Sequence, residues 1–314
     1  MTPSSPEPDE TATAAGPRPI LKRVLGFVVS VSLFALALAA VGIRRDDLAQ
    51  AATHASHAPA WLVVTLAILP ALNLVLIGTS LWFIMARYGR VGLVEMNQLI
   101  FTAWLLNFLP MKPGLMGRVA YHKRFNHIRV RDSARALVES MALSAISIGV
   151  LLIVALAVRG AVGTLPVLLA TCAPALALVL AAGVASSRWV PVARLLAAMA
   201  LRYLDILVWV ARYALIFQLI GADLTLADVV LVTTASQLAQ LVPFAGNGLG
   251  IREWAVGVVG KASGLSMPVA LSADLVNRAS ELVLAVPLGF GALWAVTRRV
   301  RQLRRRSEPS PATA

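Results

Sequence analysis

Apolar runs alternate with short charged stretches from residue 20 to residue 300, and the runs approach the ~20 residues that a helix needs to cross the hydrocarbon core of a bilayer. Runs of that kind occupy 24–43, 60–84, 134–158, 164–185, 203–220 and 268–296. Two further apolar stretches, 93–110 and 229–260, are stopped or interrupted by Pro and Gly. No ten-residue alternating strands occur, which argues for helices and against an outer-membrane barrel.

Charge sets the direction of each run. Lys22 and Arg23 precede the first, and Arg298, Arg299, Arg301, Arg304, Arg305 and Arg306 follow the last. The positive-inside rule then puts both termini in the cytoplasm and makes the number of full crossings even. The connection 111–135 carries Lys112, Arg118, Lys123, Arg124, Arg129, Arg131 and Arg135 against Asp132 alone, so it is cytoplasmic as well. Arg87 and Arg90 flank the other end of 93–110, so that segment starts and ends on one side and is re-entrant. Asp223 and Asp228 fit an external loop after 203–220. The segment 229–260 must then enter and leave from outside. The expected fold is an all-α integral membrane protein with six full transmembrane helices and two re-entrant broken-helix elements.

The two broken elements resemble each other. NFLPMKPGLMGR (107–118) and QLVPFAGNGLGIR (240–252) each hold an amide, two apolar residues, a proline, a turn-prone stretch, a Gly-Leu group and an arginine. Further on, ALVES (136–140) corresponds to DLVNR (274–278). Unit one, 60–158, and unit two, 203–296, are therefore expected to form an inverted repeat, whose paired breaks mark a midplane site. The breaks are assigned to Pro110, Gly114 and Pro243. Backbone groups freed there cannot face hydrocarbon and must line protein or a wet cavity. A half-helix starting near Gly250 would aim its positive end into that cavity beside Arg252, a site suited to an anionic headgroup.

Charges inside spans need partners or water. Asp274, Asn277, Arg278 and Glu281 recur at spacings of three and four and share one helical face. Glu139 sits early in 134–158, Glu95 in the first re-entrant segment, and Asp205 and Arg212 on one face of 203–220. The expected substrate-binding residues are Arg118, Gly248, Gly250, Arg252, Glu253 and Arg278, with Glu139, Asn277 and Glu281 pairing charge or gating.

Composition agrees with this class: 59% of the 314 residues are hydrophobic and 14% charged, with a mean hydropathy of +0.79. The net charge of +13 gathers beside apolar segments instead of striping a soluble domain, so nucleic acid is not an expected partner. Residues 1–19 read as a solvated, disordered cytoplasmic tail with no cleavable signal peptide, 20–300 as one membrane domain, and 301–314 as a basic cytoplasmic tail. Cys172 is the only cysteine, and the His54/His57 and His122/His127 pairs lack a carboxylate or thiolate at ligand spacing. No metal site, cofactor or catalytic residue is expected.

The pattern LNFLPMKPGLMGR, a basic loop, a Glu-bearing span, then LVPFAGNGLGIRE and LVNRASELVLAVPLGFG resembles the lysylphosphatidylglycerol synthase transmembrane-region family, the flippase-like domain. The likeness is sharpest at PFAGNGLGIRE, where Pro243, Gly248, Gly250, Arg252 and Glu253 match the family element. Pro110, Gly114 and Arg118 match its counterpart, and Arg278 the arginine before the Gly-rich final span. Where members often carry Glu-Arg, this chain has Glu139–Ser140, and the aminoacyltransferase domain of bifunctional synthases is not expected, so lipid aminoacylation by this chain alone is not either. The resemblance implies translocation of an anionic, aminoacylated or glycosylated lipid across the bacterial cytoplasmic (inner) membrane. The alternative it leaves open is a membrane-embedded accessory protein or enzyme of polyprenyl-linked glycan or phospholipid modification, working with a separate lipid-modifying enzyme.

Overall fold

The computed structural model describes residues 28, 31–32, 35–36, 39, 53, 56–107, 113–158, 163–241, 248 and 250–307. The expected first span and the breaks at Pro110 and Pro243 fall almost wholly outside them. Among the described residues from 60 onward the elements are all helices: α1 (Ala60–Met85), α2 (Leu93–Leu106), α3 (Pro113–Phe125), α4 (Val130–Ala157), α5 (Thr164–Ser186), α6 (Val190–Leu219), α7 (Leu226–Gln240), α8 (Ile251–Ala262) and α9 (Met267–Ser307). The chain thus runs long, short, short, long, then α5, then long, short, short, long.

Four helices, α1, α4, α5 and α9, are long and apolar enough to cross a membrane. The expected span 203–220 is longer in the structure, because α6 starts at Val190 behind Pro191 and runs 30 residues. It carries Arg194, Arg202, Asp205 and Arg212 along its length, so composition alone underrates it. α9 likewise continues beyond residue 296 into the basic stretch as far as Ser307. Where the broken elements are expected stand short helices, α2 and α3, α7 and α8; Gly114, expected at a break, is instead the second residue of α3, buried where that helix meets α2.

Packing follows a regular scheme. α1 and α6 lie against each other, α1 also touches α2, α4 and α9, and α6 also touches α7, α9 and α4. α2 packs on α3 and α9, and α7 on α8 and α4, while α3 rests on α4 and α8 on α9. One apolar core is built around Tyr203, Tyr213, Ile216 and Phe217 of α6, with Leu62 of α1, Leu151 of α4 and Val230 of α7. A second joins Leu81 and Ile84 of α1, Met96 and Phe101 of α2, Leu143 of α4 and Ala285 of α9. A stripe of polar residues runs between the two.

Two glycines allow this packing. A Cβ on Gly114 would lie 2.2 Å from the Ala103 carbonyl oxygen, so α3 can approach α2 only without a side chain there. Gly248 has φ +72°, and a Cβ on it would press on Gln240 and Arg252 at 3.1 and 3.3 Å. Gly250 also has a positive φ, 80°, and α8 starts directly after it, packed against α7.

Candidate functional site

Helical periodicity gathers the polar residues on facing stripes. On α6 the spacing of Arg202, Asp205, Trp209 and Arg212 keeps all four on one face, and on α9 the spacing of Asp274, Asn277, Arg278 and Glu281 does the same. Arg252 and Glu253 enter from the first turn of α8. Asn73 projects from the middle of α1. All of them but Arg202 and Trp209 sit among the most buried polar groups of the chain.

Arg252 donates through Nε to Asp274 Oδ2 at 2.9 Å and through Nη1 to Glu281 Oε1 at 3.0 Å. Glu281 Oε1 also accepts from Arg212 Nη2 at 3.0 Å. Arg212 reaches on to Asn277 Oδ1 and to Asn73 Oδ1 at 3.1 Å. Asn73 in turn donates to Asp205 Oδ1 at 2.6 Å. Asp205 Oδ2 lies 3.4 Å from Arg202 Nη1, and Arg202 also bonds Ser144 on α4 through Nε at 2.9 Å. Behind this row Arg278 and Glu253 form their own pair at 2.6 Å, and Tyr213 donates to Asp274. The Trp209 ring lies 4.1 Å from the Arg212 guanidinium and 5.4 Å from that of Arg252, a cation–π arrangement that steadies both in place of water.

This network walls a cavity of about 500 Å³. Every one of α1 to α9 except α5 supplies lining, including Asn73, Asn107, Leu115, Ser144, Gln237 and Ala285 beside the charged groups. Arg202, Arg212 and Arg252 face it with Asp205 and Glu281. Several buried nitrogens in or beside the wall have no hydrogen-bond partner among the described residues: Arg212 Nε, Arg252 Nη2, Gln237 Nε2 and Gln240 Nε2. All four are donors, against one unpartnered acceptor of the lining residues, Asn107 Oδ1. Burying donors without acceptors is costly, so an acceptor-rich guest complements this wall.

Of the residues expected from sequence, Arg252, Glu253, Asn277, Arg278 and Glu281 converge, and Gly248 and Gly250 shape the turn that delivers two of them. Arg118 is half-buried on α3, three residues after the lining Leu115 and within electrostatic reach of Arg202. Among the described residues no carboxylate pairs with it. Glu139 is elsewhere: it pairs with Arg87 and accepts from the Tyr88 hydroxyl at 3.0 Å. Glu95 is buried near the start of α2, where Arg299 of α9 pairs with it at 3.1 Å. Sequence reasoning missed Asn73, Arg202, Trp209, Gln237 and Gln240 as site residues. Asn73, an amide between two leucines at the centre of an apolar run, was the one clear sequence signal among them.

A family model described as the lysylphosphatidylglycerol synthase TM region matches residues 23–289. No curated protein and no solved structure gives a match.

Proposed function

The chain belongs to the lysylphosphatidylglycerol synthase transmembrane-region family, multi-pass membrane proteins of lipid modification or transport, and from that premise we propose that it moves an anionic lipid headgroup through the central cavity. One observation carries the reading: the cavity wall presents three arginines and a set of buried donors that lack acceptors among the described residues. A headgroup phosphodiester supplies such acceptors and fits guanidinium geometry. The acyl chains remain in the bilayer.

An inverted repeat supports transport in preference to static binding. Exchanging α1–α4 for α6–α9 maps the described helix contacts onto one another: α1 on α2 becomes α6 on α7, α2 on α9 becomes α7 on α4, and α1 on α9 becomes α6 on α4. Around the α3–α4 connection Lys123, Arg124, Arg129, Arg131 and Arg135 crowd together, whereas around 263–266, which joins α8 to α9, Lys261 is the one Lys or Arg. Together these favour two hairpins dipping in from opposite faces around one midplane site. In this reading both termini are cytoplasmic in a bacterial inner membrane.

The test is reconstitution with headgroup-labelled phosphatidylglycerol. Vesicles holding the protein should equilibrate the label between leaflets, and Gln240→Leu, which removes a donor without touching an ion pair, should slow this several-fold. Rates equal to protein-free vesicles would sink the transport reading. In a Cys172→Ala background, Lys123→Cys and Lys261→Cys should label from opposite sides of sealed vesicles; labelling from one side would remove the inversion.

A further inference from the structure

We propose that movement of the headgroup into the cavity is coupled to uptake of one proton by Glu281, which makes the protein a proton-coupled anion transporter. This rests on the headgroup reading above.

The inference comes from counting charge around one oxygen. Glu281 Oε1 is shared by Arg212 and Arg252, each at 3.0 Å, and Glu281 lines the cavity. Arg202, Arg212, Arg252 and Arg278 face Asp205, Glu253, Asp274 and Glu281 in five ion pairs. Four cations meet four anions, so the buried cluster is neutral when empty. A phosphodiester that takes N–H donors from Arg212 and Arg252 leaves two guanidinium groups to share Asp274, Glu281 and the phosphate. That is one negative charge in excess, in a place where hydration cannot compensate. Adding a proton to Glu281 restores neutrality, and the neutral carboxylic acid needs neither arginine.

Glu281 is the acceptor because its competitors are held. Asp274 sits behind the wall, bonded by Tyr213 and Arg252 Nε. Asp205 keeps Arg202 and the Asn73 amide, and Glu253 keeps Arg278. The groups facing Glu281 are Arg212, Asp205 and Tyr213 from α6, Arg252 and Glu253 from α8, and Asp274 and Arg278 on its own helix. α1 contributes only the uncharged Asn73, and the one carboxylate of α2, Glu95, is taken by Arg299. Glu281 also sits inside one continuous row: from Ser144 through Arg202, Asp205, Asn73, Arg212, Glu281, Arg252, Asp274 and Tyr213 to Ser236, each side chain is bonded to the next. The arginines and the Asn73 amide of that row hold their protons, so Glu281 takes its proton from the cavity that it lines.

Arg118 supplies the contrast that makes the step directional. No described carboxylate pairs with it, so an anion resting between Arg118 and Arg202 is neutral without a proton. Passage from there to Arg212 and Arg252 is the step that takes one up.

The experiment uses the full chain in neutral detergent with dihexanoylphosphatidylglycerol, and inorganic phosphate as a second probe. Proton uptake is counted in weak buffer and affinity is measured across pH. About one proton should enter per lipid bound, and affinity should fall about tenfold per pH unit as pH rises through the coupled range. E281Q should bind with little pH dependence and take up no proton, while E281D should retain uptake. Lipid binding without proton uptake overturns the coupling and leaves the headgroup reading standing. Uptake that persists in E281Q overturns the assignment to Glu281. Equal affinity and uptake with inorganic phosphate keep the coupling and overturn the lipid reading, and no binding of either probe overturns both. Should E281Q fail to fold, the proton count of the unaltered protein decides the coupling and E281D decides the site: a pH range of affinity loss unmoved by E281D overturns the assignment to Glu281.

Discussion

Arg118 and Arg252 follow similar Gly-Leu motifs in sequence and each lies in the first half of a short helix, the sixth residue of α3 and the second of α8, yet they live in opposite surroundings. Arg252 is 1% exposed and bonded to Asp274 and Glu281. Arg118 is half-buried with no described carboxylate partner. The cause lies in the long helix that follows. Where α9 carries Asp274 and, seven residues on, Glu281, α4 carries Ala136 and Leu143. The helix contacts of the two halves correspond while their chemistry differs: one half locks its arginine into a neutral cluster, and the other has no described carboxylate on its arginine.

The largest expected effect tests that contrast directly. Arg252→Leu strands two buried carboxylates and should cost on the order of 3–5 kcal/mol, whereas Arg118→Leu should stay within about 1 kcal/mol. Thermal unfolding in detergent reads both. Equal shifts would mean that the halves differ in sequence only. In transport the order should reverse in character: Arg118→Leu, folded and stable, should still lose most of the headgroup equilibration.

The glycines give the next effects down. Gly114→Ala drives a Cβ into the Ala103 carbonyl at 2.2 Å; backbone atoms cannot swing aside, so α3 must shift at a cost of about 1–3 kcal/mol. Gly248→Ala presses only on side chains, with the nearest backbone atom at 3.7 Å, but needs φ +72°, a cost of about 1–2 kcal/mol. The two halves thus use glycine for different reasons, close approach in one and a left-handed turn in the other. Unfolding temperatures would separate the cases, because Asn at 248 tolerates that backbone while Asn at 114 does not. A smaller loss in Gly248→Asn than in Gly248→Ala, beside a loss in Gly114→Asn at least as large as in Gly114→Ala, is the expected pair.

These residues also show how much the sequence could disclose. The 3.6-residue period exposed the polar face of Asp274, Asn277, Arg278 and Glu281, and the clustered Pro and Gly fall near the starts of α3 and α8; both signals are local. The partners of that face were not local. Asn73 lies 139 residues from the Arg212 it bonds, and no period links them. Arg202 was hidden by a boundary: reading the span as 203–220 turned it into a loop cation, whereas α6 starts at Val190 and places Arg202 well inside the helix, on the cavity wall. Gln237 and Gln240 became visible only once α7 was folded against the arginines.

The smallest expected effect concerns Glu139, expected from sequence to share the site and found with Arg87 and Tyr88. Its side chain is 34% exposed and that of Arg87 28%, so water screens the pair and relieves whichever member is left alone. Glu139→Gln should cost less than about 1 kcal/mol and still accept the Tyr88 hydroxyl through its amide oxygen. Glu281→Gln has the same change of atoms in a place 6% exposed, between two arginines. If headgroup equilibration and its pH dependence respond to the buried substitution and ignore the exposed one, the division between an electrostatic core and a peripheral clasp holds. Equal responses would place Glu139 back in the gate and dissolve that division.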